Sequence, residues 1–190
     1  MKDFINYHIK MINNYIKRYN YKSYLEIGID EGVCFRQIQS EYKVGVDPYS
    51  ISNYVTHKMT SDEFFLHNNK TFDIIFIDGL HHSDQVVKDI QNSLKVLNKG
   101  GMIIVHDCLP KTELEQIVPR QTKVWTGDVW KAWMEFRKRK DLRMFVFDID
   151  YGIGIIQMGE QTPFVLDSED LTWKNFEKNK EVWLNLISYA

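Results

Sequence analysis

Apolar residues fall along this chain in two alternating rhythms. Short continuous runs are rich in β-branched residues and bounded by glycine or an acid: Tyr24-Leu-Glu-Ile-Gly28, Val44-Gly-Val-Asp47, Phe72-Asp-Ile-Ile-Phe-Ile-Asp78 and Met102-Ile-Ile-Val-His-Asp107. Such runs suit strands buried on both faces. Elsewhere apolar positions recur at helical spacing. Phe4, Ile5, Ile9, Ile12, Tyr15, Ile16 and Tyr19 predict an amphipathic helix ahead of the first strand. Val86, Val87, Ile90, Leu94 and Leu97 predict another, stopping at Lys99-Gly100-Gly101, where glycine accepts a left-handed C-cap geometry. Thr60-Ser-Asp-Glu63 reads as a capping box that opens a short helix through Phe64 and Phe65. The alternation predicts an α/β protein with a doubly wound, mostly parallel sheet and helices on both faces.

The second half departs from that rhythm. Residues 108–126, with Pro110 and Pro119, form the longest irregular stretch. Asp128 to Phe136 resumes as a helix, and the basic run Arg137-Lys-Arg-Lys140 complements its C-terminal dipole. Arg143–Asp148 and Gly152–Met158 are close enough to pair as an antiparallel hairpin around Asp150-Tyr151. Trp173, Phe176, Val182, Trp183, Leu186 and Ile187 sketch a closing helix. One domain over 1–190 is expected: an N-terminal helix in 1–22, a core in 23–158 and a helical extension in 159–190.

Composition narrows the function. With 190 residues, 44% hydrophobic and 26% charged, the chain can bury a sizeable core. Lys and Arg number 24 against 26 Asp and Glu, so no global positive field collects nucleic acid, and no nucleic-acid partner is expected. Two cysteines, Cys34 and Cys108, make no disulfide framework. Charge and amide groups interrupt the first ten residues, which read as neither signal peptide nor membrane anchor. No stretch approaches the roughly 18 apolar residues of a membrane span. The cytosol is the expected compartment; a homo-oligomer is left open.

The end of the first strand carries the first chemical signal. In Leu25-Glu-Ile-Gly-Ile-Asp-Glu-Gly32, Gly28 and Gly32 sit where a strand is expected to turn into a helix, and ligands of doubly wound sheets bind there. The dinucleotide pattern G-x-G-x-x-G is missing. Asp30 and Glu31 carry the wrong sign for a pyrophosphate, so a ligand bearing a cation and no phosphate, such as S-adenosylmethionine, fits better. Asp47, ending the next strand, can accept both ribose hydroxyls. The ordinary alternative is a tight turn followed by a strand-ending acid.

Glu26-x-Gly28-x-x-x-Gly32, Val44-Gly-Val-Asp47, Phe72-Asp-Ile-Ile-Phe-Ile-Asp78 and Leu97-x-x-Gly-Gly101 together resemble the ordered motifs of class I S-adenosylmethionine-dependent methyltransferases. The match runs from about Tyr24 to Met158. It implies a Rossmann-like fold, Glu26 and Gly28 near the methionine moiety, Asp47 on the ribose, and Ser61-Asp62 near the adenine. Asp30 departs from the pattern, since many members carry glycine or another small residue there.

The second signal lies in Asp78-Gly-Leu-His-His82 and Val105-His-Asp107, which end adjacent strands. Asp78 and Asp107 are hard oxygen ligands suited to Mg²⁺ or Mn²⁺; His106 could join them and would tilt the choice toward Mn²⁺, Fe²⁺ or Zn²⁺. The set is similar to metal-dependent small-molecule O-methyltransferases acting on catechols and macrolide sugars. That resemblance implies a catalytic pair of Asp78 and His81, with His81 as base, since Asp78-x-x-His81 reproduces the spacing in the sugar-modifying members. It departs from them at His106, where those families carry an acid. Simpler roles are Asp78 capping the next helix, His82 satisfying a turn and His106 a hydrogen-bonded strand residue. Cys108 reads as a small hydrophobe; Trp125, Trp130 and Trp133 read as core, with Trp125 able to line an acceptor pocket. His81 is expected to open a helix, whose positive end keeps its ring neutral. The activity implied is methyl transfer from S-adenosylmethionine to a hydroxyl of a small molecule, sugar or polyol first and catechol-like phenol second. The rivals are a nicotinamide-dependent oxidoreductase and a non-catalytic binding subunit.

Overall fold

The computed structural model describes residues 7–189; Phe4 and Ile5 lie outside the described residues. Seven strands form one sheet. In chain order the elements are α1 (Tyr7–Tyr19), β1 (Ser23–Ile27), β2 (Tyr42–Val46), α2 (Ser61–His67), β3 (Phe72–Ile77), α3 (Ser83–Lys95) and β4 (Leu97–Val105). There follow α4 (Glu113–Gln116), α5 (Val129–Arg137), β5 (Leu142–Phe147), β6 (Ile153–Met158), α6 (Trp173–Leu184) and β7 (Leu186–Ile187). The sheet order is β2-β1-β3-β4-β6-β5-β7. β6 runs antiparallel to both β4 and β5, and the other pairings are parallel. This is the doubly wound, Rossmann-like architecture the pattern predicts, with its antiparallel hairpin in place.

Side chains alternate across the central strands as the pleat demands. Ile75 and Ile77 of β3, with Ile103 and Val105 of β4, join Trp130, Trp133 and Phe176 from α5 and α6 in one buried cluster. Ile74 and Phe76, with Met102 and Ile104, join Ile9, Ile12 and Ile16 of α1 in the other. Both faces are covered, which is why these strands read as unbroken apolar runs. No helix among the described residues is long and apolar enough to cross a membrane.

Four expectations need correction. The helix predicted to stop at Lys99-Gly100-Gly101 ends at Lys95, with Val96 as its C-cap. Gly100 does take a positive φ of 80°, but inside β4, where the register against β3 shifts between Phe72 and Ile74. The closing helix ends at Leu184 because Asn185 takes a left-handed φ of 49°, after which Leu186 and Ile187 pair with β5 as β7. No α-helix follows the β1 turn; a single 3₁₀ turn at Phe35–Gln37 does. The stretch predicted as irregular holds α4, whose capping box joins Thr112 and Glu115.

Candidate active site

Sheet register sets the site. Ile27 pairs with Ile77 and Ile77 with Val105, so Gly28, Asp78 and His106 leave the sheet side by side. A Cβ on Gly28, whose φ is +85°, would lie 2.2 Å from the Asp78 carbonyl oxygen, so glycine is required for the two strand ends to meet. Beyond them opens a cavity of about 520 Å³, within the usual range for small-molecule sites. Of the predicted cofactor residues, Gly28, Asp30, Asp47, Ser61, Asp62 and Asp78 line it.

Glu26 and Gly32 do not line the cavity. Glu26 is 1% exposed and accepts a hydrogen bond from the Tyr24 hydroxyl. Burial pushes its carboxyl up to about 8 against the lowering effect of that hydrogen bond. Gly32, at φ +75°, packs where a Cβ would meet Ser52 Oγ at 2.4 Å. Asp30 has a positive φ of 44°, which explains why a small residue suits that position, and its side chain is exposed. Its amide donates to Asp47 Oδ2 at 2.9 Å, while the amides of Tyr49 and Ser50 donate to Asp47 Oδ1, both at 2.8 Å. Asp47 thus ties the β1 and β2 loops together at the cavity wall.

At the far wall the capping box forms as read: Glu63 N donates to Thr60 Oγ1, and Thr60 N to Glu63 Oε2. It presents Ser61 and Asp62 to the cavity. Asp89, absent from the sequence reasoning, joins them. Gln85 Nε2 reaches Ser61 Oγ and Asp62 Oδ1 at 3.2 Å and Asp89 Oδ1 at 3.1 Å. Burial raises the Asp89 carboxyl to about 6. The signal was available, since Asp89 lies on the apolar stripe of Val86 and Ile90.

Asp78, His81 and Asp107 converge at the near end. His81 Nε2 lies 3.3 Å from Asp78 Oδ1 and His81 Nδ1 lies 3.2 Å from Asp107 Oδ2. One ligand atom from each of the three falls within 4.8 Å of the others, a separation a single divalent ion can span. Asp78 does not cap α3. Asp128 does that from the opposite loop, accepting Ser83 N at 2.7 Å and Ser83 Oγ at 3.0 Å. Burial opposes a positive ring at His81, but the hydrogen bond and charge of Asp78, with the charge of Asp107, outweigh it and raise its pKa. This corrects the expected neutral ring: α3 begins two residues later, at Ser83, and carboxylates flank both ring nitrogens. Asp78 is held below the usual carboxylate range, burial being outweighed by His106 and His81.

His106 faces two ways. Its Nδ1 lies 3.2 Å from Asp78 Oδ1 and 3.5 Å from Asp107 Oδ2, so it stays beside the carboxylates it was grouped with. Its Nε2 points instead toward Asp150 Oδ2 at 3.7 Å, and Asp150 Oδ2 lies 2.6 Å from Nδ1 of His8 on α1. Sequence reasoning missed His8 and Asp150, which are 142 positions apart. Asp150 reaches this end because β6 runs antiparallel to β4, which brings the 149–152 turn against residues 106–109 (Cys108 N to Gly152 O, 3.0 Å; Leu109 N to Tyr151 O, 2.7 Å).

The three tryptophans separate. Trp130 and Trp133 are fully buried, whereas Trp125 stacks on His81 and meets His82 edge-on. Cys108 is buried against β4, and burial raises its thiol well above the usual thiol range, so it stays un-ionised at neutral pH.

Comparison with known proteins bears on the fold. Residues 47–108 match the model of a family described as a methyltransferase domain. An uncharacterised protein of Acanthamoeba polyphaga mimivirus is 26% identical over 129 residues, 54% of this chain and 58% of that protein; the chain thus spans little more than half of that curated relative. Among solved structures, the O-methyltransferase from Bacillus cereus in complex with SAH matches with a TM-score of 0.59 and 15% identity, covering 81% of each chain. The O-methyltransferase TomG from Streptomyces achromogenes, in complex with SAM, matches at 0.60 and 13%, covering 80% of this chain and 79% of that one. MycE methyltransferase of mycinamycin biosynthesis, in complex with Mg, SAH and mycinamycin VI, matches at 0.53 and 12%, covering 87% of this chain and 52% of that one. At these identities the likeness is one of fold.

Proposed function

We propose that this chain, which carries the fold of the class I S-adenosylmethionine-dependent methyltransferases, transfers a methyl group from S-adenosylmethionine to a hydroxyl of a small molecule. A sugar or other polyol comes ahead of a catechol-like phenol as acceptor. The observation that carries the reading is the double position of Asp78, which lines the cavity and also belongs to the cluster with His81 and Asp107. Donor and acceptor are thereby brought to one strand end.

The chemistry of the lining fits the donor. S-adenosylmethionine supplies an electrophilic methyl on a sulfonium and carries no phosphate. Asp30, Asp47, Asp62 and Asp78 give the cavity an acidic wall, suited to a cation and repellent to a pyrophosphate. Asp47 has three amide donors on two oxygens, which leaves acceptor capacity for a ribose hydroxyl. Ser61, Asp62 and Asp89 provide the polar edge for the adenine.

Two carboxylates fit a divalent cation of the Mg²⁺ or Mn²⁺ kind, with Asp78 and Asp107 as its oxygen ligands and His106 beside them, its Nδ1 3.2 Å from Asp78 Oδ1. Such an ion would lower the pKa of a neighbouring aliphatic hydroxyl, which is otherwise barely ionised at neutral pH. His81 would take the hydroxyl proton on a ring nitrogen once a bound cation offsets the charges of Asp78 and Asp107, which otherwise raise its pKa and favour the protonated ring. Trp125 stacks on the face of the His81 ring, and its backbone carbonyl oxygen lies 3.3 Å from His81 Nδ1. The sugar preference rests on the Asp78-x-x-His81 spacing, which resembles that of the sugar-modifying O-methyltransferases.

The test is methyl transfer from labelled S-adenosylmethionine to a panel of sugars, polyols and catechols, beside thermal shifts. S-adenosylhomocysteine should raise the melting temperature, by about 2.7 kcal/mol of stability at a hundredfold excess over its dissociation constant. NAD and NADP should not; stabilisation by either in its place would overturn the reading in favour of an oxidoreductase. Chelation should stop turnover and leave S-adenosylhomocysteine binding intact.

A further inference from the structure

We infer that His8, His106 and Asp150 form a second site for a divalent transition metal, separate from the Asp78, His81 and Asp107 cluster, and that a bound ion would fasten α1 to the active end of the sheet. One ligand atom from each of the three lies within 4.8 Å of the others. His8 Nδ1 is 2.6 Å and His106 Nε2 3.7 Å from the same oxygen, Asp150 Oδ2. These separations bracket the roughly 3.3 Å between neighbouring ligands of a tetrahedral ion with bonds near 2.0 Å.

Two further observations point to an ion rather than to an ordinary ion pair. His106 Nε2 is buried and has no hydrogen-bond partner among the described residues, although it is aimed at Asp150. A buried ring nitrogen without a partner is costly, and a metal lone-pair bond would satisfy it. Its other nitrogen, Nδ1, lies 3.2 Å from Asp78 Oδ1. A metal-bound histidine characteristically donates its second N–H to a carboxylate, which fixes the tautomer and leaves the ligating nitrogen unprotonated. Asp78 Oδ1 therefore supports this site through His106 while also lying 3.3 Å from His81 Nε2 of the other cluster.

The remaining ligands are held in place. His8 stacks on Phe76 of β3, centroids 5.5 Å apart and planes at 14°, and meets His106 edge-on at 5.0 Å. Asp150 sits at a left-handed φ of 49° in the turn before β6. Two imidazoles and one carboxylate select Zn²⁺, Co²⁺ or Fe²⁺ over Mg²⁺. Because α1 supplies one ligand and strand-end segments the other two, occupancy would tie a helix to the edge of the active site. This inference does not depend on methyl transfer.

The experiment titrates untagged, metal-free protein with Zn²⁺ calorimetrically and with Co²⁺ by visible absorption. The wild type should bind Zn²⁺ tightly and give the d–d bands of a low-coordinate Co²⁺ site. His8→Gln and Asp150→Asn, shown folded by circular dichroism, should each weaken Zn²⁺ by more than about 100-fold, beyond the 10–100-fold typical of a lost supporting partner. Asp107→Asn, which disables the neighbouring cluster and keeps an acceptor oxygen beside His106, should stay within about tenfold of wild type, the low end of that supporting-partner range. Zn²⁺ should also slow amide exchange in α1 of the wild type but not of His8→Gln. Unchanged Zn²⁺ affinity in folded His8→Gln, or loss confined to Asp107→Asn, would overturn the assignment.

Discussion

The indole of Trp125 lies stacked on the imidazole of His81, with ring centroids 5.4 Å apart and planes at 21°. Trp125 is itself fixed by its indole N–H, which donates to Ile117 O at 2.7 Å. Next in the chain, Gly127 passes so close that a Cβ there would meet the His81 carbonyl oxygen at 1.8 Å, and Asp128 N donates to the same oxygen at 3.2 Å. The 108–128 loop and the His81 segment are therefore one packed unit.

Trp125→Ala should loosen His81 without touching the cofactor cavity. Aromatic stacking of this kind is worth about 0.5–1.5 kcal/mol, so turnover should fall roughly 2- to 10-fold. S-adenosylhomocysteine affinity by calorimetry should not change, and Trp125→Phe should restore most of the rate. A matching loss of cofactor affinity would show that the loop shapes the cavity instead.

Asp47 has two separable duties, and two substitutions divide them. Asp47→Ala strands the amides of Asp30, Tyr49 and Ser50, so stability should fall by about 1–3 kcal/mol along with cofactor affinity. Asp47→Asn keeps one acceptor oxygen for the Tyr49 and Ser50 amides. It should hold most of the stability yet still weaken S-adenosylhomocysteine, by about 1.5–3 kcal/mol if the charged acceptor matters. Urea melts beside calorimetry give both numbers. Equal effects of the two variants on both readouts would make Asp47 a loop tie and nothing more.

The parts legible in the sequence are those with a periodic or local cause. β1, β3 and β4 announced themselves because burial on both faces leaves few polar positions to interrupt them, and the capping box at Thr60 and Glu63 is complete within four residues. Gly100 misled because a left-handed glycine serves a helix end and a strand irregularity equally well, and only the pairing of Leu97 with Phe72 decides between them. Gly28, Asp78 and Asp107 were legible as strand-end residues, since a parallel sheet brings such ends together. His8, Asp89 and Asp150 were not singled out. Asp89 carries a weak local signal on its helix, but the meeting of His8 with Asp150 depends on how α1 and the β5–β6 turn fold over one edge, and no local pattern encodes that.

His81 and His82 are neighbours with different surroundings, and the pair tests the base. Removing a positioned base costs about 10²–10⁴ in rate. His81→Ala should lose that much turnover with cofactor affinity unchanged. His82 meets Trp125 only edge-on at 6.0 Å and makes no side-chain cap on α3, so His82→Ala should cost less than about tenfold. The reverse ranking in a methyl-transfer assay would move the base to His82.

Glu26 makes a prediction about pH that needs no acceptor. Burial raises its carboxyl from 4.5 to about 8, while the Tyr24 hydroxyl and Cys34 pull it down and the charge of Asp78 adds to the rise. The folded chain therefore keeps a proton on Glu26 that the unfolded chain releases near 4.5. Between about pH 4.5 and 8 the folded state binds more protons at this site, so its contribution to stability falls as pH rises and levels off above about 8. Glu26→Gln removes the titration and keeps a carbonyl oxygen for the Tyr24 hydroxyl. Its amide N–H groups carry a burial cost of about 1–3 kcal/mol, which is the same at every pH. The informative quantity is thus the difference between variant and wild type, in which all other titrations cancel. That difference should move in favour of Glu26→Gln by about 1.4 kcal/mol per pH unit across the window. Urea melts without cofactor at pH 5, 6, 7 and 8 would measure it. A difference that stays flat would mean that Glu26 is ionised in the folded protein throughout, held by Tyr24 and Lys43 as a buried anion.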